Sequence, residues 1–563
     1  MTPRPFVRAR SLQSLRDDTF DVVVVGGGVT GAGVVLDAAS RGLRAALVER
    51  DDFASGTSSK SSKLVHGGLR YLQQGEVGLV YEALAERQRL LKNAPHLVKP
   101  LPFLIPMMGK GGVIPAKIAR LLGTAMWGYD LTGGLRIGKL HKRLDKAEAL
   151  AYMPTLPEDR LVSAYLYYDA AADDARLVVA ILRTAALEHG ATIANRVAAK
   201  GLSKDASGRV DGLEVEADGE EFTIRARSVV NAAGVWSDDV RAMDEGTHPD
   251  SIRPAKGVHI TVPWEKVRNE VAAVIPVPKD RRSVFVVPQD GFTYVGTTDT
   301  DYDGPLDDPQ CTPEDVEYLL RALNGSITTE VTTDDILGTW AGLRPLVKAA
   351  STGRTADLSR RHKVRRSDSG LVTITGGKLT TYREMAADTV DEVVRNVLAG
   401  QPGTPKVGRS RTKKLPLRGA AGHDTLPTAA RVYPEVPPEL VERLGDRYGG
   451  EARALMAQIQ ADPSLAEPIV EGLPYTRAEA LFAVRHEMAG SVDDVLSRRT
   501  RARLFSRDAS ADAADAVAEL IAEELGWSAE QARESAASYR DDVARERAAA
   551  ELPETRPSAT SAG

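Results

Sequence analysis

An uninterrupted run of β-branched residues stands near the beginning of the chain. Val22 to Val25 has no exposed, polar face, so the run predicts a buried strand of a parallel sheet. Gly26 to Gly28 follows as a turn, and residues 29–41 predict a helix that Gly42 ends. Leu43 to Val48 predicts a second strand. The chain therefore opens with a strand–helix–strand unit.

Helical and extended patterns alternate through the middle of the chain. Helices are predicted at 80–92 and 175–189, and strands are predicted at 192–200, 210–216 and 221–230.

A hairpin and a second strand-to-helix turn follow. Residues 283–288 and 292–297 flank a glycine-containing turn and predict an antiparallel hairpin. Residues 371–375 predict a strand that leads through Gly376-Gly377 into a helix over residues 378–398.

The last part of the chain has a helical pattern. Residues 400–425 are rich in Gly, Pro, Lys and Arg and predict a linker. Thr476 to Glu479 and Ser528 to Gln531 then match the capping box, in which two side chains satisfy otherwise unpaired amides at a helix start. We expect a helical C-terminal domain.

Composition and charge exclude several classes of protein. The 563 residues are enough for two to four domains, and 73 basic against 78 acidic residues give no support for a nucleic-acid binder. Cys311 is the single cysteine, which excludes an intramolecular disulfide and a structural zinc site with several thiolates, and fits a reducing cytosol. The longest uncharged stretch, Val22 to Leu36, is too short to span a membrane. No secretory signal is predicted, because the first 20 residues lack an apolar core.

The first turn of the chain carries a dinucleotide-binding fingerprint. Gly26 permits a tight turn, Gly28 lets the backbone approach a pyrophosphate, and Gly31 permits close packing of helix on strand. The helix start offers amides to the phosphates, and Glu49 would accept hydrogen bonds from the ribose hydroxyls. The alternative is a glycine-rich turn with no ligand. No second fingerprint follows, so we expect electrons to come directly from the substrate.

A polar loop, Ala54 to Lys63, follows Glu49 closely. Its hydroxyl groups and lysines could surround a pyrophosphate, with Thr57, Ser58, Ser62 and Lys63 as the candidates. An ordinary polar loop is the alternative.

The run from Thr57 to Tyr71 closely resembles the FAD-dependent, quinone-linked glycerol-3-phosphate dehydrogenases. The resemblance covers residues 20–505, with one departure at Val235, where many relatives have proline after the glycine. Further blocks agree in order: Asp173 to Leu177, Asn231 to Trp236, Lys256 to His259, Gly296 to Asp299, Gly342 to Pro345 and Gly376 to Arg383.

The resemblance implies an α/β plus α fold. Its parts are a Rossmann-like FAD-binding domain of the amino-acid-oxidase type, an antiparallel-sheet substrate domain and a helical C-terminal domain. The divisions we expect are an N-terminal tail (1–18), the discontinuous FAD-binding domain (19–100, 165–255 and 340–399), the substrate domain (101–164 and 256–339), a linker (400–430), the helical domain (431–550) and a disordered tail (551–563).

The resemblance also implies an activity and a cofactor. The activity is FAD-dependent oxidation of sn-glycerol 3-phosphate to dihydroxyacetone phosphate, with electrons passed to a membrane quinone. The expected FAD contacts are Gly26, Gly28, Gly31, Glu49, Thr57, Ser58, Ser62, Lys63, His66, Val197, Gly234, Trp236, Gly377, Lys378, Leu379 and Thr380.

Cations within these blocks are candidates for binding the substrate phosphate. Arginine recognises phosphate with two parallel hydrogen bonds, and Arg70, Arg344 and Lys378 lie close to glycines. Tyr71 would add a hydroxyl donor. Surface ion pairs and a packed tyrosine are the alternatives.

Oxidation of an alcohol by a flavin needs a base for the hydroxyl proton. His259 lies on a predicted strand, and histidine has a pKa suited to this role, so we predict catalysis by His259 with Arg344 and Lys378. A core histidine is the alternative reading. His66 is expected to orient FAD. No two histidines have the spacing of metal ligands on one helix, so we predict no metal.

The Gly376-Gly377-Lys378 turn would place a helix start beside the flavin. Its amides would stabilise the negative charge of the reduced ring. It is not a phosphate-binding Walker loop, because Leu379 and Val372 stand at two of the positions that the motif requires.

A quinone acceptor requires contact with a membrane surface. Leu101 to Met108 is apolar, and residues 114–127 place apolar side chains beside Lys110, Lys117 and Arg120. We expect peripheral binding to an anionic, cytoplasmic membrane face; the alternative is that these residues cover a core. A homodimer stays open.

Three other functions stay open at this stage. They are a dioxygen-using oxidase of the same substrate, a related amino-acid oxidase and a non-catalytic dinucleotide-binding regulator.

Overall fold

The strand–helix–strand opening forms as predicted in the computed structural model of the chain. Val22–Val25 and Ala45–Val48 are strands in which every residue is buried, and Val29–Ser40 is the helix between them. The two strands pair in parallel. Gly42 follows the helix in the left-handed conformation, with φ of 91°.

The structure describes most of the chain. The described residues are 6–68, 77–109, 128, 139–278, 280, 282–296, 299–348, 361–403, 405–429 and 431–556. Several predicted residues lie outside the described ranges: Arg70, Tyr71, Lys110, residues 114–127 with Lys117 and Arg120, Thr297 and Thr298.

Twenty strands are present among the described residues. In chain order they are β1 (Thr19–Phe20), β2 (Val22–Val25), β3 (Ala45–Val48), β4 (Leu64–Val65), β5 (Val98–Met108), β6 (Lys142–Leu144), β7 (Leu161–Ala172), β8 (Thr192–Ala194), β9 (Ala198–Lys204), β10 (Val210–Ala217), β11 (Glu220–Ala226), β12 (Val229–Asn231), β13 (Ile252–Pro263), β14 (Ala272–Pro276), β15 (Ser283–Gln289), β16 (Phe292–Gly296), β17 (Thr300–Asp301), β18 (Gly338–Val347), β19 (Lys363–Arg366) and β20 (Val372–Thr375).

The helices of the described ranges cluster at the C-terminal end. In chain order they are α1 (Arg8–Asp17), α2 (Val29–Ser40), α3 (Val77–Asn93), α4 (Lys146–Tyr152), α5 (Asp174–His189), α6 (Ser237–Glu245), α7 (Trp264–Val267), α8 (Pro313–Asn324), α9 (Tyr382–Glu392), α10 (Leu426–Ala429), α11 (Pro438–Tyr448), α12 (Ala452–Ala461), α13 (Arg477–Glu487), α14 (Ala502–Phe505), α15 (Arg507–Asp512), α16 (Ala514–Leu525) and α17 (Ala529–Ala549). Both capping boxes are present, at the starts of α13 and α17.

The first of three sheets has six strands in the order β19-β20-β12-β2-β3-β8. Only the edge strand β19 runs antiparallel to its neighbour. Val22 and Val24 pack with helices α2, α5 and α9, whereas Val23 and Val25 face the second sheet, β1-β11-β10-β9. Because successive side chains of a strand point to opposite faces, this valine run fills two cores at once.

The third sheet has ten strands. Its main order is β17-β13-β16-β15-β14-β5-β7-β4, with β18 paired to β13 and β6 paired to β7. All its pairs are antiparallel except β14 with β5. The fold class is therefore the predicted one: a Rossmann-like domain, a largely antiparallel sheet and a helical C-terminal domain. The predicted boundaries at 165, 256 and 340 fall inside β7, β13 and β18.

The predicted N-terminal tail is wrong for residues 8–17, which form α1. Arg8 donates to the carbonyl oxygens of Asn195 and Arg196 and forms an ion pair with Asp218. Leu15 is fully buried. The helix is strongly polar, so only its long-range partners explain its position.

The predicted linker and C-terminal tail are also partly packed. Leu417 and Leu426 are buried between residues 400 and 430. Leu552 and Thr555 are buried in the predicted tail, where the Thr555 hydroxyl donates to the carbonyl oxygen of Ile336. The predicted helix at 378–398 is shorter as an α-helix, because α9 begins at Tyr382 after a 3₁₀ turn (Leu379–Thr381) and ends before a π-helical turn (Val393–Val397).

The apolar run Leu101 to Met108 belongs to β5 and contributes to the interior. Phe103 and Leu104 are almost fully buried between β7 and β14, so part of this run covers a core, whereas Leu101 and Ile105 are partly exposed. Among the described residues, no helix combines the length and the apolar character that crossing a membrane would require.

Candidate functional site: a dinucleotide cleft beside a buried histidine

The carboxyl ends of the central parallel strands open onto a cleft of about 1190 Å³, its open mouth included. Val25 and Val48, the last residues of β2 and β3, line the cleft. The segments after β12 and β20 contribute Ala232 to Gly234 and Gly376 to Leu379. This is the edge at which open α/β sheets bind their ligands.

The glycine turn after β2 has the backbone geometry that its sequence predicts. Gly26 has φ of 110°, and a Cβ atom there would lie 2.7 Å from the carbonyl oxygen of Ala232. Gly28 caps α2 in an extended conformation, and the amide of Val29 donates to the Ser58 hydroxyl at 2.9 Å. The start of α2 therefore faces the cleft and is tied to the polar loop.

Glu49 lies at the end of β3 beside this turn. Its carboxylate accepts the amides of Gly27 at 2.6 Å and Asp51 at 2.9 Å. Burial raises the pKa of Glu49 to about 7. The hydrogen bonds from the two backbone amides lower the pKa, but by less than burial raises it. With this pKa the carboxyl group is partly protonated at neutral pH, so it can both accept and donate a hydrogen bond. Ribose hydroxyls can also do both, and they would suit this position in the cleft lining.

The structure brings most of the predicted cofactor residues to the cleft lining. Those in the lining are Gly26, Gly28, Glu49, Thr57, Ser58, Val197, Gly234, Trp236, Gly377, Lys378 and Leu379. Gly31 lies behind them in α2, where a Cβ would stand 1.9 Å from the carbonyl oxygen of Gly26. Its predicted role in close helix packing matches this position.

Ser62 and Lys63, which are predicted to surround a pyrophosphate, are not among the residues of the cleft lining. The Lys63 ammonium contacts the Asp174 carboxylate at 3.3 Å and the carbonyl oxygen of Ser59 at 3.1 Å. It also lies 4.9 Å above the Trp340 ring. Burial, followed by the charge of Arg501, lowers the pKa of Lys63 to about 8. Because its charge is already paired, Lys63 organises the loop.

His66 and Thr380 contact each other across the end of the same loop. The Thr380 hydroxyl lies within hydrogen-bond distance of both the amide and the carbonyl oxygen of His66, at 3.3 and 3.4 Å. The His66 ring meets the edge of Phe285. These contacts join the polar loop to the turn after β20.

His259 lies on β13 in a fully enclosed position. Its ring stacks on Trp340 with centroids 4.6 Å apart, and its Nε2 is 2.9 Å from the Ser62 hydroxyl oxygen. Its Nδ1 has no hydrogen-bond partner among the described residues. Burial, followed by the charges of Lys63 and Arg344, lowers the pKa of His259 well below its usual value. The imidazole is therefore neutral at neutral pH.

Arg344 and Lys378 both lie on segments that border the cleft. Lys378 lines the cleft, as does Pro345, the residue after Arg344. Arg344 forms an ion pair with Asp299 at 2.8 Å and is partly exposed. This pair keeps a guanidinium group at the boundary between the cleft and the ten-stranded sheet.

Comparison with known proteins assigns the family. A profile of the FAD dependent oxidoreductases matches residues 21–383, and a profile of the C-terminal domain of alpha-glycerophosphate oxidase matches residues 410–532. The chain belongs to the family of FAD-dependent oxidoreductases that includes the glycerol-3-phosphate dehydrogenases.

Individual members of this family resemble the chain over most of its length. Glycerol-3-phosphate dehydrogenase 2 of Mycobacterium tuberculosis is 40% identical over 541 residues, which are 95% of this chain and 90% of that protein. The mitochondrial glycerol-3-phosphate dehydrogenase of Mus musculus is 39% identical over 93% of this chain and 73% of its own. The solved FAD complex of glycerol-3-phosphate dehydrogenase from Bacillus halodurans superposes with a TM-score of 0.76, at 30% identity, over 98% of this chain and 99% of that one.

The residues of this FAD-dependent oxidoreductase fit the cofactor. The cleft combines a Cβ-free backbone at Gly26 and Gly28, a helix start and an acid in its lining, Glu49. These groups would hold the pyrophosphate and the ribose, and Gly377 and Lys378 would face the flavin end. Within the described ranges, no three His, Cys, Asp or Glu side chains converge to hold a metal ion.

Sequence reasoning on this FAD-dependent oxidoreductase missed several lining residues. Asp239 and Met243 line the cleft from α6, and Met385 lines it from α9. Asp239 follows Trp236 by about one helical turn, and Met385 lies in the first turn of α9, so helical spacing from the recognised blocks could have found both. Arg50, which stacks 5.1 Å from Trp236, offers no such signal.

Proposed function

We propose that the protein oxidises sn-glycerol 3-phosphate to dihydroxyacetone phosphate. The observations that carry the proposal are a lysine in the cleft lining, Lys378, and an arginine, Arg344, that precedes the lining residue Pro345 and whose charge acts on the neutral imidazole of His259. Two cations suit a phosphate dianion, and a neutral histidine suits a hydroxyl proton. The names of relatives 39–40% identical to this chain support the same substrate.

The reaction removes a hydride and a proton from one carbinol group. Bound FAD supplies the two-electron hydride acceptor. His259 takes the hydroxyl proton of C2 as the C2–H bond breaks, so that the carbonyl of the product forms without a charged intermediate. Arg344 and Lys378 hold the phosphate and so fix C2 relative to the base.

Anaerobic reduction of the bound flavin tests the proposal directly. We expect sn-glycerol 3-phosphate to bleach the visible flavin spectrum, while glycerol, which lacks the phosphate, bleaches it far more slowly. Amino acids serve as the comparison, because a related amino-acid oxidase would respond to them instead. A flavin that no substrate reduces, but that dithionite does, would favour the non-catalytic regulator.

Removal of the Arg344 guanidinium should weaken substrate binding. Losing a hydrogen bond to a charged group costs about 1.5–3 kcal/mol, so Arg344→Gln should raise KM for glycerol 3-phosphate roughly tenfold or more. Steady-state kinetics with a soluble dye acceptor measures this. Arg253→Gln is the matched control, because Arg253 pairs with the exposed Asp301 on the same sheet, and its KM should stay unchanged. An unchanged KM in Arg344→Gln would place the phosphate elsewhere.

We further propose a membrane quinone as the electron acceptor. The support is that the sequence relatives reported above are named dehydrogenases, while the match to the C-terminal domain of alpha-glycerophosphate oxidase keeps dioxygen as the second candidate. Reoxidation of the substrate-reduced flavin, measured with a water-soluble quinone and with dioxygen separately, distinguishes the two. Faster reoxidation by dioxygen would identify an oxidase. A quinone acceptor also implies peripheral binding to a membrane surface, which sedimentation with anionic vesicles measures.

A further inference from the structure

Three arginines of the helical domain reach into the FAD-binding domain. We call Arg498, Arg499 and Arg501 the arginine clamp. Arg498 and Arg499 end a π-helical turn (Asp494–Arg499), and Arg501 precedes α14. All three side chains are buried. Burial alone would lower the pKa of each guanidinium, but the surrounding carboxylates raise it by more, so each pKa lies above its usual value. Cations buried in this way must have specific anionic partners.

The first arm of the clamp holds the loop after β3. Arg499 donates to both carboxylate oxygens of Asp52, at 2.8 and 2.9 Å, and Arg498 donates to one of them at 2.6 Å. Although burial alone would raise it, the two guanidinium groups hold the pKa of Asp52 well below its usual range. Asp52 lies between Glu49 and Ser55, both of which line the cleft. The first arm therefore fixes the wall at the ribose side.

The second arm holds the polar loop. Arg501 donates to the Asp173 carboxylate at 2.9 Å and to Asp174, and it reaches the carbonyl oxygen of Ser59 at 3.4 Å. Asp174 also accepts the hydroxyl of Ser61 at 2.7 Å. Ser59 directly follows Thr57 and Ser58, which line the cleft. The second arm therefore fixes the wall at the pyrophosphate side.

The backbone at Arg501 is itself constrained. Its φ is 80°, in the left-handed region that non-glycine residues rarely occupy. Such a conformation persists only where the surroundings hold it, and the ion pairs with Asp173 and Asp174 are what hold the side chain here. The strained backbone therefore lies at the residue whose side chain contacts the Ser59 carbonyl oxygen of the polar loop.

We propose that the arginine clamp couples docking of the helical domain to FAD binding. The clamp residues do not line the cleft; they position Asp52 and Ser59, which frame its two walls. FAD requires both walls in place, so a docked helical domain raises FAD affinity. By linkage, bound FAD must hold the helical domain docked to the same degree. The helical domain is thus a positioning element of the cofactor site.

Removal of the Arg501 guanidinium tests the proposal through cofactor affinity. We expect Arg501→Gln to raise the FAD dissociation constant at least tenfold, measured by titrating the cofactor-free full-length chain and following flavin fluorescence. Arg507→Gln is the matched control, because Arg507 is fully buried in the helical domain and pairs with Asp508. It should lower the melting temperature of the cofactor-free protein without changing FAD affinity.

Three further measurements separate positioning from general destabilisation. Arg501→Lys keeps a cation but loses the planar, two-pronged guanidinium group, so its FAD affinity should lie between those of Arg501→Gln and the unmodified protein. If Arg501→Gln does not fold, Arg501→Lys is the variant that tests the proposal. In an Asp174→Asn background, Arg501→Gln should cost less affinity than in the unmodified protein, because one of its two carboxylate partners is already lost. Hydrogen exchange over residues 494–505 should slow when FAD binds, and less so in Arg501→Lys. Equal losses of FAD affinity in Arg501→Gln and Arg507→Gln, or exchange insensitive to FAD, would overturn the proposal.

Discussion

A Gly31→Ala protein is expected to be purified without its flavin. The added Cβ would lie 1.9 Å from the carbonyl oxygen of Gly26 and 3.1 Å from its carbonyl carbon. Both atoms belong to the backbone, so no side-chain movement relieves the overlap. Either α2 moves away from β2 or the glycine turn opens, and each change displaces the amide of Val29 from the phosphate end of the cleft. The ratio of flavin absorbance to protein absorbance measures the loss.

The matched control for this prediction is Gly78→Ala. Gly78 lies in the first turn of α3, where an added Cβ meets no neighbouring atom within 4 Å. Alanine is favoured over glycine in a helix by about 0.5–1 kcal/mol, so this variant should keep its flavin and be at least as stable as the unmodified protein. Far-UV circular dichroism shows whether Gly31→Ala still folds. A folded Gly31→Ala protein with full flavin content would contradict the packing role of Gly31.

The first strand–helix–strand unit was predictable because its local hydrophobic pattern agrees with the packing that the whole fold imposes on it. Val22 to Val25 is apolar on both faces, and the strand is buried on both faces by two different cores. The glycine spacing then requires a turn and a helix start, and the cleft forms at that point. Pattern, turn chemistry and ligand site are thus encoded within about 30 neighbouring residues.

The parts that were mispredicted depend on partners far away in the chain. Helix α1 is polar along its length, and its Arg8 finds Asn195 and Asp218 on other elements. Residues 410–412 pack because the hydroxyls of Ser410 and Thr412 meet the buried Asp37 of α2. Local composition does not reveal such distant partners, so the sequence alone predicted a tail and a linker for these segments.

In the candidate site, too, residues within local motifs could be predicted, whereas residues that depend on distant partners could not. Motif spacing led to Gly28, Glu49 and Lys378, which all line the cleft. It assigned Lys63 to the pyrophosphate, because the sequence does not reveal Asp174 as the partner that neutralises it. Arg501 could not be linked to the site at all, since Asp173 lies 328 residues earlier in the chain.

The second large effect is expected at His259. Loss of a general base typically slows a reaction by about 10²–10⁴-fold, so His259→Ala should reduce anaerobic flavin reduction by glycerol 3-phosphate to that extent. FAD should stay bound, because His259 is not among the residues that line the cleft. Stopped-flow absorbance of the flavin measures the rate, and reduction by dithionite at an unchanged rate controls for access to the cofactor.

The pH dependence follows from the direction of the pKa shift. Burial is the largest cause that lowers the pKa of His259, and the positive charges of Lys63 and Arg344 lower it further. The neutral form of His259 therefore persists to a lower pH than that of an ordinary histidine. The reduction rate should therefore stay constant from neutral pH into mild acid and fall only as the pH drops through this lowered pKa. Lys63, with a pKa of about 8, is a separate group that titrates on the alkaline side.

The stacking of His259 on Trp340 offers the competing explanation, since a ring in a stacked pair contributes to the core whether or not it moves a proton. Ser62→Ala separates the two. It removes the hydroxyl that lies 2.9 Å from Nε2 and leaves the stacked ring in place. If His259 is the base, loss of this orienting contact should slow flavin reduction by less than His259→Ala does, with little effect on melting temperature. If His259 only packs, His259→Ala should lower the melting temperature while the folded protein reduces its flavin at the original rate, and the proton acceptor must then be sought among the other groups at the flavin end of the cleft.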